Sequence, residues 1–364
     1  MKESFYIGKI FQIEIRIHYS WFLIFFLVSF SFAKYLIPEQ FPNHSQIFYW
    51  TIGIFSASLL FISVFLHELA HSFIAQSQGI KIRQILLFIF GGIAFMEGEI
   101  ENPSTELKIA IAGPLMSLFL GVLFFFSSSI FPVFKNLAYL NFGLAIFNLV
   151  PAFPLDGGRI FRSIFWKLTK DIKKATKLGV NLSKIFVIIL LFWGFYNIFN
   201  GYLLNGIWLI FIGWFLFQAA QASYNQVILK EILSEIKVLD IMKKRIFLAS
   251  PEISLKTLIK RYWLTHQDVF PVIEEGKFLG IVDFKRIKNL KSSNFEKLTV
   301  KDVMIPSQKL IHLSPTENAY NAFTKMLSFD LGILPVVENE KFLGFVDRNS
   351  IFFIITLKKL KNLI

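Results

Sequence analysis

The sequence predicts an α-helical polytopic membrane protein of about six transmembrane helices, followed by a C-terminal α/β domain made of two repeats. Three observations lead there. Of 364 residues, 54% are hydrophobic and 17% aromatic, too apolar for an ordinary soluble domain. The apolar runs stop near Ala222, and the rest has the composition of a soluble α/β chain. Within that rest, VLDIM (238–242) returns as VKDVM (300–304), and FPVIEEGKFLGIVD (270–283) returns as LPVVENEKFLGFVD (334–347).

Taken in order, stretches approaching the roughly 20 residues that a spanning helix needs fall at 19–37, 50–76, 107–131, 137–152, 181–200 and 203–222. The first is expected to be a retained span, because no small-residue cleavage site follows it, and Lys34 can snorkel from its end. The segment 159–177 is rich in Lys and Arg with a single acid, and Lys81 and Arg83 follow the second span, whereas 38–46 and 200–206 carry no Lys or Arg. Basic loops stay on the cytosolic side. With six spans, both ends of the chain are then cytoplasmic, in a bacterial or archaeal plasma membrane.

The expected domains are a membrane part at 1–224, a helical connector of alternating charge at 225–237, and two repeats at 238–299 and 300–364. Each repeat reads as a helical stretch, a short apolar strand, a charged turn at Gly276 or Asn339, a second strand and a helix. Two such units side by side bury a shared core. The formal charge of +13 is spread over both parts, so no block is basic enough for nucleic acid, and loops near anionic lipid account for it. With no cysteine, disulfides, thiolate metal sites and cysteine nucleophiles are excluded.

FLHELAHSFI (65–74) places His67, Glu68 and His71 in one of the most apolar runs of the chain. Histidines four apart on a helix project from one face, about 5–6 Å between Cβ atoms, within reach of a common ion. Zinc held this way acidifies water to a pKa of about 7, and a neighbouring carboxylate can take the proton as that water attacks a carbonyl. Ionisable groups at membrane depth are costly and point to function. Catalytic zinc needs a third protein ligand, and the candidates are His18, Glu97, Glu99, Glu101 and Asp156. Asp156 stands apart because it ends NLVPAFPLDGG (148–158), where Pro151, Pro154, Gly157 and Gly158 break a helix near the cytosolic end of its span.

HELAH together with FNLVPAFPLDGGR resembles the site-2 protease family of intramembrane zinc metalloproteases, in the branch with a C-terminal pair of CBS modules, which the repeats resemble. The resemblance implies zinc, one ion per subunit, on His67, His71 and Asp156. It further implies Glu68 as general base, Asn148 as a polar group close to the substrate carbonyl, and FGGIAFM (90–96) as a re-entrant strand on which substrate docks by edge pairing. The expected activity is endopeptidase cleavage of a transmembrane segment, in a membrane-anchored regulator or a remnant signal peptide. The partners are then a transmembrane protein substrate and the lipid bilayer.

One departure concerns the CBS pair. Adenine-nucleotide-binding modules place a hydroxyl three residues after a glycine and an Asp three further on. Here Asp283 and Arg286 follow Gly280, and Asp347 and Ser350 follow Gly344. An acid in the hydroxyl position repels phosphate, so adenine nucleotide is expected to bind weakly or not at all, leaving homodimerisation or the steering of substrate entry. A rival reading is a CBS-gated divalent-cation transporter, with His67, His71 and Asp156 lining an ion path. It gives Glu68 no role.

Overall fold

The computed structural model describes residues 4–89, 91–97, 100–265, 267–287 and 295–361, and the chain divides into two units, Met1–Val227 and Ile228–Ile364. Phe90 and Glu99, both singled out above, and the side chains of Glu97 and Arg286 lie outside what is described.

The first unit opens with a hairpin the spans gave no reason to expect. Strands β1 (Ser4–Ile10) and β2 (Ile13–His18) pair antiparallel around Phe11 and Gln12, whose φ angles of 48° and 65° make the turn. In β2, Ile13, Ile15 and Ile17 point inward while Glu14, Arg16 and His18 alternate with them. His18 then caps α1 (Tyr19–Ser31), its Nδ1 accepting from the Ser20 N–H at 3.2 Å. A π-turn over Phe32–Leu36 leads into α2 (Ile37–Gln40), and Ser45 caps the 32-residue α3 (Gln46–Ser77).

Strand β3 (Lys81–Phe88) returns to pair parallel with β2, and β4 (Gly91–Glu97) pairs antiparallel with β3, giving the order β1-β2-β3-β4 with β4 at an edge. The inner face of this sheet, with Ile13, Ile15, Ile17, Ile85 and Leu87, forms a core with Ala75 of α3 and Ile109. The sheet therefore rests on the end of α3 that carries the HELAH sequence.

Asn102 caps α4 (Pro103–Ser127), with Pro103 in the first turn where its missing N–H costs nothing. Next come α5 (Val133–Leu149), α6 (Asp156–Thr169), α7 (Ile172–Phe199) and α8 (Leu203–Ser234). Among the described residues, five helical segments are long and apolar enough to cross a membrane: Tyr19–Gln40, Gln46–Ser77, Pro103–Ser127, Ile172–Phe199 and Leu203–Ser234. The expected fourth span corresponds to α5, only 17 residues long because it starts after Pro132 and stops before Pro151. At 1.5 Å per residue it reaches about 25 Å, against a hydrocarbon core of about 30 Å. Large apolar side chains on α7 and α8, such as Phe192, Trp193, Trp208 and Trp214, are exposed, as lipid-facing groups are.

The second unit carries the repeat in its register. After α9 (Val238–Ile241) and α10 (Leu255–Thr265), β5 (Val269–Glu274) pairs antiparallel with β6 (Lys277–Asp283). After α11 (Phe284–Ile287), α12 (Val300–Val303), the short β7 (Ile305–Pro306) and α13 (Ala319–Ser328), β8 (Ile333–Glu338) pairs antiparallel with β9 (Lys341–Asp347), and α14 (Arg348–Lys361) follows. Val272 faces Gly280 and Val336 faces Gly344, each beside a bulge. A Cβ on Gly280 would meet the Ile305 carbonyl oxygen at 2.1 Å, and one on Gly344 the Lys243 carbonyl oxygen at 2.5 Å, so both glycines admit a crossing backbone. The segment after VLDIM thus lies against the second hairpin, and the segment after VKDVM against the first. The cores follow this exchange: Val238 and Ile241 pack with Leu313, Leu334 and Val346, while Val300 packs with Leu255, Phe270 and Val282.

Candidate metal centre

His67 and His71 lie one turn apart on α3, each 4% exposed, and Asp156 at the start of α6 is 8% exposed. Asp156 Oδ2 is 3.2 Å from His67 Nε2 and 3.1 Å from His71 Nε2, and the two Nε2 atoms are 3.2 Å apart. Among the described residues this is the group of metal-binding type that converges, one atom from each side chain within 4.8 Å of the others. Donors held at about 2.0–2.1 Å from one zinc in a tetrahedron lie roughly 3.3–3.4 Å from each other, so the donor set fits the ion in both chemistry and spacing.

Helix α4 supplies the wall behind the imidazoles. His71 Nδ1 is 2.6 Å from the Ile109 carbonyl oxygen, which can only accept, so the ring proton sits on Nδ1 and Nε2 keeps its lone pair. His67 Nδ1 lies 2.8 Å from Ser117 Oγ, a hydroxyl that can accept from the same tautomer. Between them, a Cβ on Gly113 would stand 2.2 Å from His71 Nε2 and 2.5 Å from His67 Nε2, so the space in front of this helix exists only because residue 113 has no side chain.

Asp156 is presented by a broken backbone. A Cβ on Gly157 would come within 2.2 Å of the Val150 carbonyl oxygen, and one on Gly158 within 2.7 Å of Ala152 and Phe153 backbone atoms, so α6 starts hard against the chain that leads into it. The Phe153–Pro154 peptide is cis, and the Phe153 N–H donates to Ser183 Oγ on α7 at 2.7 Å.

Glu68 is half-buried beside His67, and a Cβ on Gly92 of β4 would lie 2.4 Å from its Cγ. The second glycine of the strand thus lets β4 close on the carboxylate. Asn148 is half-buried in the last turn of α5, and its Nδ2 donates to the Leu144 carbonyl at 3.0 Å, within its own helix. His18 is spent on capping α1, and Glu101 is exposed. Ser117, Gly113 and the Ile109 carbonyl carry no metal-site motif of their own, and their one signal in the sequence is the pair of small residues four apart in GPLMS, which marks close helix approach.

Comparison with known proteins bears on this site. The profile of Peptidase family M50 matches residues 55–133 and 126–192, and the CBS domain profile matches 238–292 and 300–356. A zinc metalloprotease of Methanocaldococcus jannaschii is 32% identical, over 99% of this chain and 98% of its own. A Synechocystis protein named as a candidate zinc metalloprotease is 31% identical, over 96% and 95%. A solved site-2 protease from Methanocaldococcus jannaschii is 36% identical, over 61% of this chain and 95% of its own, at a TM-score of 0.44.

Proposed function

The chain belongs to peptidase family M50, the site-2 proteases, and from that premise we propose that His67, His71 and Asp156 hold its catalytic zinc while Glu68 acts as the general base. The activity itself is that of an intramembrane zinc metalloendopeptidase with C-terminal CBS modules. The observation that carries the residue assignment is the triangle of buried donor atoms with sides of 3.1–3.2 Å.

When bound, zinc supplies Lewis-acid chemistry, acidifying water and polarising the scissile carbonyl. The protein residues do the rest. Ile109 and Ser117 hold both imidazoles with Nε2 deprotonated, and the Gly113 gap leaves room before them. Glu68 accepts the proton of the attacking water and returns it to the leaving amine. Strand β4 offers its free edge to an unwound substrate segment, with Gly92 setting that edge against Glu68, and Asn148 contacts the substrate carbonyl.

The substrate is a transmembrane helix of another protein, and both ends of the enzyme face the cytosol. The division into 1–224, 225–237, 238–299 and 300–364 is retained as the functional one. In the CBS pair, burial would push the Asp347 carboxyl up, but hydrogen bonds from Lys243 and Ser350 outweigh it and hold it below the usual carboxylate range. It is then anionic at neutral pH where a phosphate-binding hydroxyl is expected. ATP should bind weakly or not at all, and micromolar affinity in calorimetry contradicts this.

The ligand set is tested by zinc analysis of the purified full chain. Asp156→Ala should lower zinc occupancy sharply, since a site of two histidines is incomplete, while Glu101→Ala should stay at the wild-type level. Full occupancy in Asp156→Ala removes Asp156 from the set.

A further inference from the structure

Glu106, on α4, is 1% exposed, a carboxylate taken almost wholly out of solvent. Its partners come from α6: Arg162 reaches both carboxylate oxygens through Nε, at 3.0 and 3.3 Å, and closes a further hydrogen bond through Nη2, while Arg159 Nε stands 4.0 Å away. Arg159 and Arg162 lie one and two turns beyond Asp156. The Arg162 guanidinium also covers the ring of Phe153, 5.3 Å from its centroid, in the chain that leads into Asp156.

On α4, positions 106, 109, 113 and 117 fall within roughly 80° of one another at 100° per residue, so they form one stripe. Three of them meet the imidazoles, through the Ile109 carbonyl, the Gly113 gap and the Ser117 hydroxyl. The fourth, Glu106, grips the helix that carries Asp156. One helix face therefore fixes the two imidazoles and, through Arg162, the carboxylate.

We infer that the Glu106–Arg162 ion pair is a positioning device for the metal site, setting where Asp156 stands relative to His67 and His71. The inference rests on Asp156 being a zinc ligand. A stability role does not account for the pair, because a buried ion pair replaced by well-packed apolar groups commonly leaves a fold as stable or more so. What apolar groups do not reproduce is the forked, directional grip of a guanidinium on a carboxylate. Such outer contacts typically change metal affinity about 10- to 100-fold.

The test uses the full-length protein in detergent, with zinc affinity measured by chelator competition and thermal unfolding of the zinc-free form measured alongside. Glu106→Leu combined with Arg162→Met should bind zinc at least about tenfold more weakly while the zinc-free protein unfolds no earlier than wild type. In an Asp156→Ala background the same pair of substitutions should cause no further loss of affinity, because the grip acts through Asp156. Zinc held as tightly as in wild type overturns the inference, and so does a loss of affinity that comes with early unfolding or persists without Asp156. Should the double variant not fold, Arg162→Lys keeps the charge and loses the fork. It should weaken zinc binding in the same sense, and wild-type affinity there overturns the inference equally. If Asp156→Ala alone leaves zinc affinity unchanged, the ligand assignment fails and the inference falls with it. A normal dependence on Asp156 beside an unaffected double variant removes only the positioning role.

Discussion

A methyl group at position 113 would stand 2.2 Å from His71 Nε2 and 2.5 Å from His67 Nε2, in the space that ligand lone pairs need. In most helices Gly→Ala is favourable by about 1 kcal/mol. Here Gly113→Ala should leave the helix intact and abolish stoichiometric zinc binding, and Ser117→Ala, which removes only the partner of His67 Nδ1, should weaken it about 10- to 100-fold. Zinc titration of both variants distinguishes the two effects, and near-normal binding in Gly113→Ala contradicts the geometry. At this scale the sequence was legible for residues whose chemistry is rare in lipid. His67, Glu68, His71 and Asp156 stand out as ionisable groups in or beside apolar runs. Ser117 and Gly113 do not, because small residues recur throughout spanning helices, and a backbone carbonyl such as that of Ile109 has no sequence signature.

Strand β4 is the element on which the substrate reading depends. Gly92 faces Glu68, while Ile93 and Phe95, on the alternate face, are 43% and 39% exposed. Ile93→Asp and Phe95→Asp should therefore raise KM for a transmembrane substrate about tenfold or more, the scale of one lost apolar contact plus a buried charge. Turnover at saturation and zinc content should be nearly unchanged. Steady-state kinetics in detergent decide it, and an unaltered KM removes β4 from substrate binding. The strand was legible as GGIAFM, but the sheet it belongs to was not. IEIRIH alternates with period two, yet six residues ahead of a long apolar run carry no sign of a four-stranded sheet, and β3, which gives β2 its parallel neighbour, lies more than sixty residues later. Helix α5 is offset from the apolar stretch at 137–152: it begins at Val133, just after Pro132, and stops at Leu149, where the chain turns to bring Asp156 back toward α3.

For the molecule as a whole, the repeat was legible because both copies use the same strand–turn–strand sequence, and both hairpins carry the same register and bulge. The crossing of VLDIM and VKDVM onto each other's hairpins was not, since a repeat shows which segments are alike and not which copy each one packs against. Orientation depends on α5. If its 17 residues cross the membrane together with the five longer spans, tags at the two ends of the chain report from the same side, and they should both be accessible from the cytosol. Tags on opposite sides leave α5 as a helix that does not span. The most direct test of the account is cleavage of a transmembrane substrate by Glu68→Gln beside its zinc content. The amide keeps the size of the side chain but cannot accept the proton of the attacking water. The variant should retain one zinc per chain and cleave at least about a hundredfold more slowly than wild type. Near-normal cleavage by a fully zinc-loaded Glu68→Gln protein would contradict the assignment of this site as the catalytic centre.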